Sequence, residues 1–357
     1  MANINFIQTA TNFKLVSTRC LRNEYFHNDC RICIDLCPKD SLDIVRGKIK
    51  LDASSCVECG GCVGSCPTEA LELDVFDPNS FSINYAQNPQ ILSCKSSTPC
   101  LGIFDSEHYM VMALRSKEDL KCDLSHCDEC VLNRDSKIKE AIETKIESAN
   151  SFLSKIGAEQ QISAVYESVE SDRRALFKKG FSKIKDNIAS NEPSESVTAL
   201  HYAQLDTKLP LKRVLLKNSL KELDINESVL EDGLGIWFNK SIDFQSCTNC
   251  GDCIQFCPTD ALFATSDKQG IYFSQGKCIG CEICIDICKP KAINHKSDGL
   301  DLINIIYDRS ELLVHYELVM CRECRTPHPY KGDDPICDRC KDFVANNSDM
   351  FVLAKDL

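Results

Sequence analysis

The chain has 357 residues, 25 of them cysteine, with 43% hydrophobic and 26% charged residues, a balance that excludes wholesale disorder and a length that sets a prior of about two to three domains. Lys and Arg number 41 against 53 Asp and Glu, a net charge of −12, so nucleic acid and anionic lipid repel the chain as a whole. The length and the odd cysteine count speak against a secreted disulfide scaffold, Met1-Ala2-Asn3-Ile4-Asn5 shows no basic stretch followed by an apolar one, and no apolar run nears about 18 residues, so a cytoplasmic protein without direct membrane insertion is expected.

The cysteines fall in two blocks, thirteen from Cys20 to Cys130 and twelve from Cys247 to Cys340, with none between 131 and 246. The first block opens with Cys20, then Cys30-x2-Cys33-x3-Cys37-Pro38 and Cys56-x2-Cys59-x2-Cys62-x3-Cys66-Pro67. Between these runs Ser41-Leu42-Asp43-Ile44, a turn at Gly47 and Lys48–Leu51 predict a short β-hairpin joining two cysteine loops. Cys94, Cys100, Cys122, Cys127 and Cys130 follow a different spacing. Cys94 comes after the apolar Ile91-Leu92, Pro99-Cys100-Leu101-Gly102 opens a helix, and Leu120–Leu124 reads as a strand delivering Cys127 and Cys130 to one end. Cysteines after two neighbouring strands converge at the strand ends of a small α/β unit. Cys94, Cys100, Cys127 and Cys130 are therefore candidate ligands of one metal site, while Cys122, between Lys121 and Asp123, reads as a packed thiol.

From Ser136 to Ser190 the chain is dense in Lys, Glu, Ala and Ile, with Ile138, Ile142, Ile146, Phe152, Leu153 and Ile156 at helical spacing, which predicts two or three helices of a charged spacer. Asp172-Arg173-Arg174-Ala175-Leu176-Phe177 resembles a dibasic segment seen after cysteine-rich modules in bacterial iron–sulfur proteins, and a solvated helix face explains it equally well. The second block repeats the first: Cys247-x2-Cys250-x2-Cys253-x3-Cys257-Pro258, then Ala261–Ala264, Gly270 and Ile271–Phe273, then Cys278-x2-Cys281-x2-Cys284-x3-Cys288. Last come two knuckles, Cys321-x2-Cys324 and Cys337-x2-Cys340, around a loop bearing Pro327, Pro329 and Pro335. Four thiolates in this pattern suit tetrahedral zinc. Arg325 and Lys341 stand where a rubredoxin-like iron knuckle carries glycine, which favours zinc over iron.

Three cysteines at two-residue intervals can wrap one iron–sulfide cubane, and a fourth, three residues on and beside proline, points to a neighbouring cluster. On these runs residues 20–75 and 245–295 each resemble a bacterial 2[4Fe-4S] ferredoxin module, and the whole resembles a polyferredoxin-like iron–sulfur protein. The resemblance implies three ligand sets: Cys247, Cys250, Cys253 and Cys288; Cys257, Cys278, Cys281 and Cys284; and Cys37, Cys56, Cys59 and Cys62. It also implies that Cys30, Cys33 and Cys66 serve a fourth cluster whose first ligand position falls on His27. Cys20 is the favoured fourth ligand there; ligation by His27, or a three-iron cluster on three cysteines, stays open. Lys289 intervenes between Cys288 and Pro290, a departure from the pattern. Gly60, Gly61, Gly64, Gly251 and Gly280 are expected to bring backbone amides close to the sulfides.

The expected fold class is α+β and multidomain: a ferredoxin module over 1–85, a cysteine-rich α/β unit over 86–135, a helical spacer and connector over 136–245, a second ferredoxin module over 246–300 and a zinc-ribbon-like unit over 301–357. The expected cofactors are four [4Fe-4S] clusters and one zinc, with a further metal or Fe–S site at Cys94, Cys100, Cys127 and Cys130. Hydrolase, phosphate-loop and dinucleotide motifs are lacking, so no catalytic residue is assigned. The expected function is that of an electron-transfer subunit relaying single electrons to or from a redox protein partner, a larger oxidoreductase. By resemblance a formate dehydrogenase or a hydrogenase comes first, and nucleic acid is not a partner. An accessory or maturation factor for a metalloenzyme is the alternative. A reductase with its own catalytic cluster would require an open coordination position among Cys94–Cys130.

Overall fold

The computed structural model describes residues 7–347 apart from 10, 11, 26, 27, 134, 168–207, 224, 226–228, 231, 232, 298 and 333. His27 and the dibasic segment Asp172–Phe177 lie outside the described residues. No described helix is long and apolar enough to cross a membrane.

The two cysteine runs of the first block are held by an inner and an outer strand pair. Outside, Phe13–Val16 runs antiparallel to Leu71–Leu73, pairing Phe13 with Leu73 and Leu15 with Leu71. Those four alternate positions are apolar and at most 4% exposed, the period of two that puts one strand face in the core. Inside, Leu42–Val45 pairs with Lys48–Leu51 through Arg46 (φ 53°) and Gly47 (φ 77°), the two successive left-handed residues that a tight hairpin of this twist demands. The second block repeats the plan with Asn239–Ile242 against Ile293–Lys296 outside and Leu262–Ala264 against Gly270–Ser274 inside. There Ser310–His315 adds a third strand to the inner hairpin.

Between the blocks stands a parallel α/β unit. Leu120–Asp123 pairs in parallel with Ile162–Val165, and Leu92 bridges in parallel to Cys122. The helices Ser106–Ser116 and Lys137–Lys155 pack on each other. Residues expected to form a spacer thus belong in part to this unit: Ile142, Ala149 and Phe152 are fully buried in the same core as Leu92, Leu120 and Tyr109. The charged face that suggested a spacer is the solvent side of an amphipathic helix.

The helix Ser106–Ser116 is buried on all sides from Ser106 to Leu114. Its start is fixed by Asp105, whose side chain accepts from the Ser106 amide, while the Asp105 amide donates to His108 Nδ1 (3.0 Å), a capping box. Accepting at Nδ1 leaves the proton on Nε2, which faces Asn79 Oδ1 at 3.1 Å. Burial, with the nearby Lys212 charge, pushes the His108 pKa down to about 3.

One further helix, Leu211–Lys221, ties the parts together. Its first amides, from Leu211 and Lys212, donate to the Glu69 carboxylate, which caps the helix from the other side of the fold and favours its positive end. Lys212 reaches the carbonyls of Gly64 (3.2 Å) and Cys66 (2.9 Å) and pairs with Asp105. Burial alone would raise the Asp105 pKa, yet Lys212 and Lys145 hold it well below the usual carboxylate range. The next residue, Arg213, pairs with Glu107, donates to the carbonyls of Cys278 (3.0 Å) and Ile236 (2.8 Å), and lies 4.2 Å from the Trp237 ring centroid. Four residues on, Lys217 pairs with Asp308.

Arg213 and Glu107 side chains are each 5% exposed, so Arg213→Met should strand a buried carboxylate and cost about 3–5 kcal/mol. Anaerobic denaturant unfolding measures it. The double variant Arg213→Met with Glu107→Gln should recover part of the loss.

Candidate metal centres

All 25 cysteines are free thiols, and the fold gathers most of them into sets. Cys37, Cys56, Cys59 and Cys62 line one cavity together with Pro38, Leu42 and Gly60. Cys20, Cys30, Cys33 and Cys66 line a second, together with Leu21, Ile49 and Ala70. In the second block, burial and then the charges of Cys247, Cys250 and Cys288 push the Cys253 thiol up to about 12. Cys284 is raised by burial and by Cys278, Cys281 and Cys257. Each of the four sets is thus brought to one place in the composition that the resemblance implied, with Cys20 standing where the displaced first run lacks a cysteine.

Local structure explains the recurrence. The fourth cysteine of every run accepts an amide from four residues on: Ser41 to Cys37 at 3.3 Å, and Ala70 to Cys66, Ala261 to Cys257 and Ala292 to Cys288 at 3.2 Å. In each case the residue before the donor is left-handed: Asp40, Glu69, Asp260 and Lys291, with φ of 50–52°. The turn after Cys288 matches the others although Lys289 precedes Pro290, so the departure in sequence leaves that sulfur's hydrogen bond in place. Amides also serve the leading cysteines, Gly61 to Cys59, Gly280 to Cys278 and Ile283 to Cys281. Donors of this kind favour charge on sulfur and tune a cluster's potential. Four soft thiolates in an apolar pocket ringed by amides fit an iron–sulfur cubane. Gly64 departs from the expectation for the loop glycines: a Cβ there would stand 2.2 Å from the Ile103 carbonyl oxygen, so it admits the neighbouring α/β unit.

The sets are neighbours in a definite order. Cys62 is raised first by burial and then by charges that include Cys33 of the adjoining set. Across the seam between the blocks Leu21, Ile279 and Ile283 form a small apolar cluster with Tyr25, Cys30 and Cys281 packed on it. Asn28 Nδ2 donates to the Cys281 carbonyl at 3.1 Å, and Tyr25 packs on Phe256 with ring centroids 5.8 Å apart. The order is therefore the Cys247 set, the Cys257 set, the Cys20 set and the Cys37 set.

The terminal set differs in scale. Cys321, Cys324, Cys337 and Cys340 place their sulfurs within 4.8 Å of one another, the one such group among the described residues, and Cys324 and Cys337 are 3.7 Å apart. Amides of Cys324 and Cys337 pull the Cys321 thiol down to about 6. This group adjoins the module of the Cys247 set: Tyr316, buried in one core with Cys247, stands just before the strand Leu318–Met320 that leads into Cys321. Cys94 and Cys100 follow the bridge at Leu92, and Cys127 and Cys130 follow its parallel partner strand Leu120–Asp123. Cys122 is fully buried, and burial alone raises its thiol, to about 12.

A model of the 4Fe-4S dicluster domain matches residues 239–289, and a model of the 4Fe-4S binding domain matches 49–72. An uncharacterized ferredoxin of Methanocaldococcus jannaschii is 33% identical over 54 residues, 15% of this chain and 70% of that one. The chain belongs to the 4Fe-4S ferredoxins. This ferredoxin is also 25% identical over 129 residues to the protein NrfC homolog of Haemophilus influenzae, covering 35% of this chain and 50% of that one. It is 28% identical over 72 residues to an archaeal-type glutamate synthase (NADPH) of Thermotoga maritima, covering 20% of this chain but 14% of that one. It therefore spans a small part of the synthases and half of the NrfC homolog. The matched segments, 239–289 and 49–72, are the 4Fe-4S-binding parts of the chain.

If Cys20 is a ligand, Cys20→Ser should lower the iron content or turn one cubane into a three-iron cluster visible by EPR in the oxidised protein. His27→Ala should leave the spectrum unchanged, and the reverse pattern would make His27 the ligand.

Proposed function

We propose that the protein is a polyferredoxin-type subunit that relays single electrons between a larger oxidoreductase and a second redox partner. A [4Fe-4S] cluster held by four thiolates supplies reversible one-electron exchange and keeps no coordination position for substrate. The observation that carries the proposal is the seam: Leu21, Ile279 and Ile283 bring Cys30 and Cys281 together, so four ligand sets form one series across two modules. Electron exchange falls steeply with distance, and two modules joined only by a loose tether would be two separate carriers. The residues do what a relay needs of its protein. Apolar side chains exclude water at the seam, amides fix the sulfurs, and the Lys212–Arg213 pair fixes one module against the other. Cys250, in the set at one end of the series, is exposed, whereas no cysteine of the Cys257, Cys20 or Cys37 sets is, which offers a partner a point of approach.

The proposal includes a cytoplasmic location, supported by cysteines arranged in metal-ligand runs rather than as a disulfide framework, which suits a reducing compartment. It includes zinc at Cys321, Cys324, Cys337 and Cys340. Zinc–sulfur bonds of about 2.3 Å in a tetrahedron put sulfurs about 3.8 Å apart, close to the Cys324–Cys337 spacing. A formate dehydrogenase or a hydrogenase is the partner class to test first, by the resemblance to polyferredoxins.

Titrated anaerobically with reduced methyl viologen, the protein should take up about one electron per bound cluster and return it on reoxidation; irreversible uptake or none would overturn the carrier reading. Saturable binding to one of the two holoenzymes is expected, and its absence with both would remove that partner class alone. Metal analysis should return one zinc per chain, lost in Cys337→Ser without loss of iron, and a red ferric-thiolate chromophore at this site would make it an iron site instead.

A further inference from the structure

The parallel α/β unit carries chemistry that the two ferredoxin modules do not account for. A one-residue parallel bridge sets Leu92 beside the unit's strand Leu120–Asp123, with the Leu92 amide on the Lys121 carbonyl (2.9 Å) and the Asp123 amide on the Leu92 carbonyl (2.8 Å). Parallel strands send their following loops out at the same edge, where ligands collect in α/β sheets. Ser93 Oγ donates to Asp123 Oδ2 at 2.8 Å and pins the two loops to each other. One loop brings Cys94 and then Cys100, the other Cys127 and Cys130.

The four thiols lie near enough to act on one another. Burial and then Cys130 are among the causes that raise Cys94; Cys127 is raised to about 11 by burial, then by Cys94 and Cys130; Cys100 is raised to about 12 by burial, with Cys94 and Cys127 contributing. The loop after the second strand is shaped for the purpose. The Cys130 amide turns back onto the Cys127 carbonyl at 3.2 Å, and Asn133 Nδ2 donates to that carbonyl at 3.0 Å. Cys100 receives the amide of Gly102, the same arrangement that Gly61 makes with Cys59 and Gly280 with Cys278. The sulfurs are not drawn in as the terminal ribbon's are: no three of them lie within 4.8 Å of one another. A single tetrahedral ion draws its four thiolates close, whereas a cubane keeps them apart with four iron atoms between them.

The group adjoins the Cys37 set. Cys59 is among the groups whose charge raises Cys100. A Cβ on Gly102 would stand 3.5 Å from Gly61 Cα and 3.7 Å from Cys100 Sγ, and one on Gly61 would stand 3.9 Å from Cys59 Sγ. Two glycine backbones therefore touch, each against a ligand of its own site. Lys145 crosses the same point, its ammonium held by the carbonyls of Gly102 (3.2 Å) and Phe104 (2.9 Å) and facing both Cys100 and Cys62. A half-buried lysine ammonium there offsets the negative charge that two thiolate-bound clusters would bring.

We propose that Cys94, Cys100, Cys127 and Cys130 hold a fifth [4Fe-4S] cluster beside that of Cys37, Cys56, Cys59 and Cys62, forming the second exposed end of the series. Cys94 and Cys130 are exposed, as Cys250 is at the other end. That this end serves exchange with a partner rests on the electron-relay reading; occupancy by a cubane does not.

The test is made on the full chain, purified and reconstituted anaerobically with iron and sulfide. Wild type should hold about twenty iron atoms, four per cubane, and Cys100→Ser with Cys127→Ser should lose about a fifth of iron and acid-labile sulfide with zinc unchanged. Loss of zinc instead of iron, or no change in either, overturns the proposal. Cys122→Ala, at the packed thiol of the same strand, should leave the iron count alone. Should the double variant fail to fold, Cys94→Ser at the exposed loop leaves three thiolates and should give a three-iron EPR signal in the oxidised protein; a spectrum identical to wild type overturns the proposal. Iron counting needs no electron exchange, so failure here and failure of the relay reading are separate results.

Discussion

Two adjacent cations, Lys212 and Arg213, hold this molecule in its working arrangement. Lys212 grips the carbonyl of Cys66 in the first module, and Arg213 grips the carbonyl of Cys278 in the second. Each is paired with a carboxylate of the central α/β unit, Asp105 or Glu107. A hydrophobic seam alone is non-directional and could slide; charged hydrogen bonds to ligand-bearing backbone fix the separation and the angle. Charges buried so deeply add little net stability, since their desolvation offsets most of their attraction, but removing one partner is expensive. Their contribution is to make one relative placement of the modules much better than its neighbours.

Within each module the same economy operates at smaller scale. A left-handed residue turns the chain after the fourth cysteine so that the next amide meets its sulfur, and this happens four times with different side chains at the turning residue. What recurs is the backbone path, and cysteine spacing is its sequence shadow. The thiols so gathered are raised by burial and by one another, so metal that binds them displaces protons and neutralises a crowd of charge. The terminal ribbon solves the opposite problem, with an amide-stabilised thiolate in a tight set suited to one ion.

The α/β unit joins these two scales. Its central helix supplies Asp105 and Glu107 to the paired cations, and the loops at its strand ends supply Cys94, Cys100, Cys127 and Cys130. A unit that fixed the modules only by packing would need no cysteines at that edge. The segment taken from its composition as a spacer proves partly integral, because Lys137–Lys155 turns its apolar stripe inward and Ile162–Val165 completes the sheet.

The sequence by itself determined the ferredoxin-type cysteine runs and the hairpin turning at Gly47, and it implied which cysteines gather together, because cubane ligation and tight turns are local and tie residue type to short fixed intervals. It also pointed to Cys94, Cys100, Cys127 and Cys130 from the strands before them. It did not reveal Lys212 and Arg213, which look like any charged helix start, nor Glu69 as their helix cap 142 residues away in the chain. Nor did it reveal that Gly64 and Gly102 serve contacts between units. Those roles depend on which surfaces meet, and surfaces meet through long-range packing of apolar faces whose pattern says only that they are buried. The order of the metal centres is therefore a property of the tertiary structure: spacing made each site, and the docking of three units, fixed by two buried cations, decided which site neighbours which.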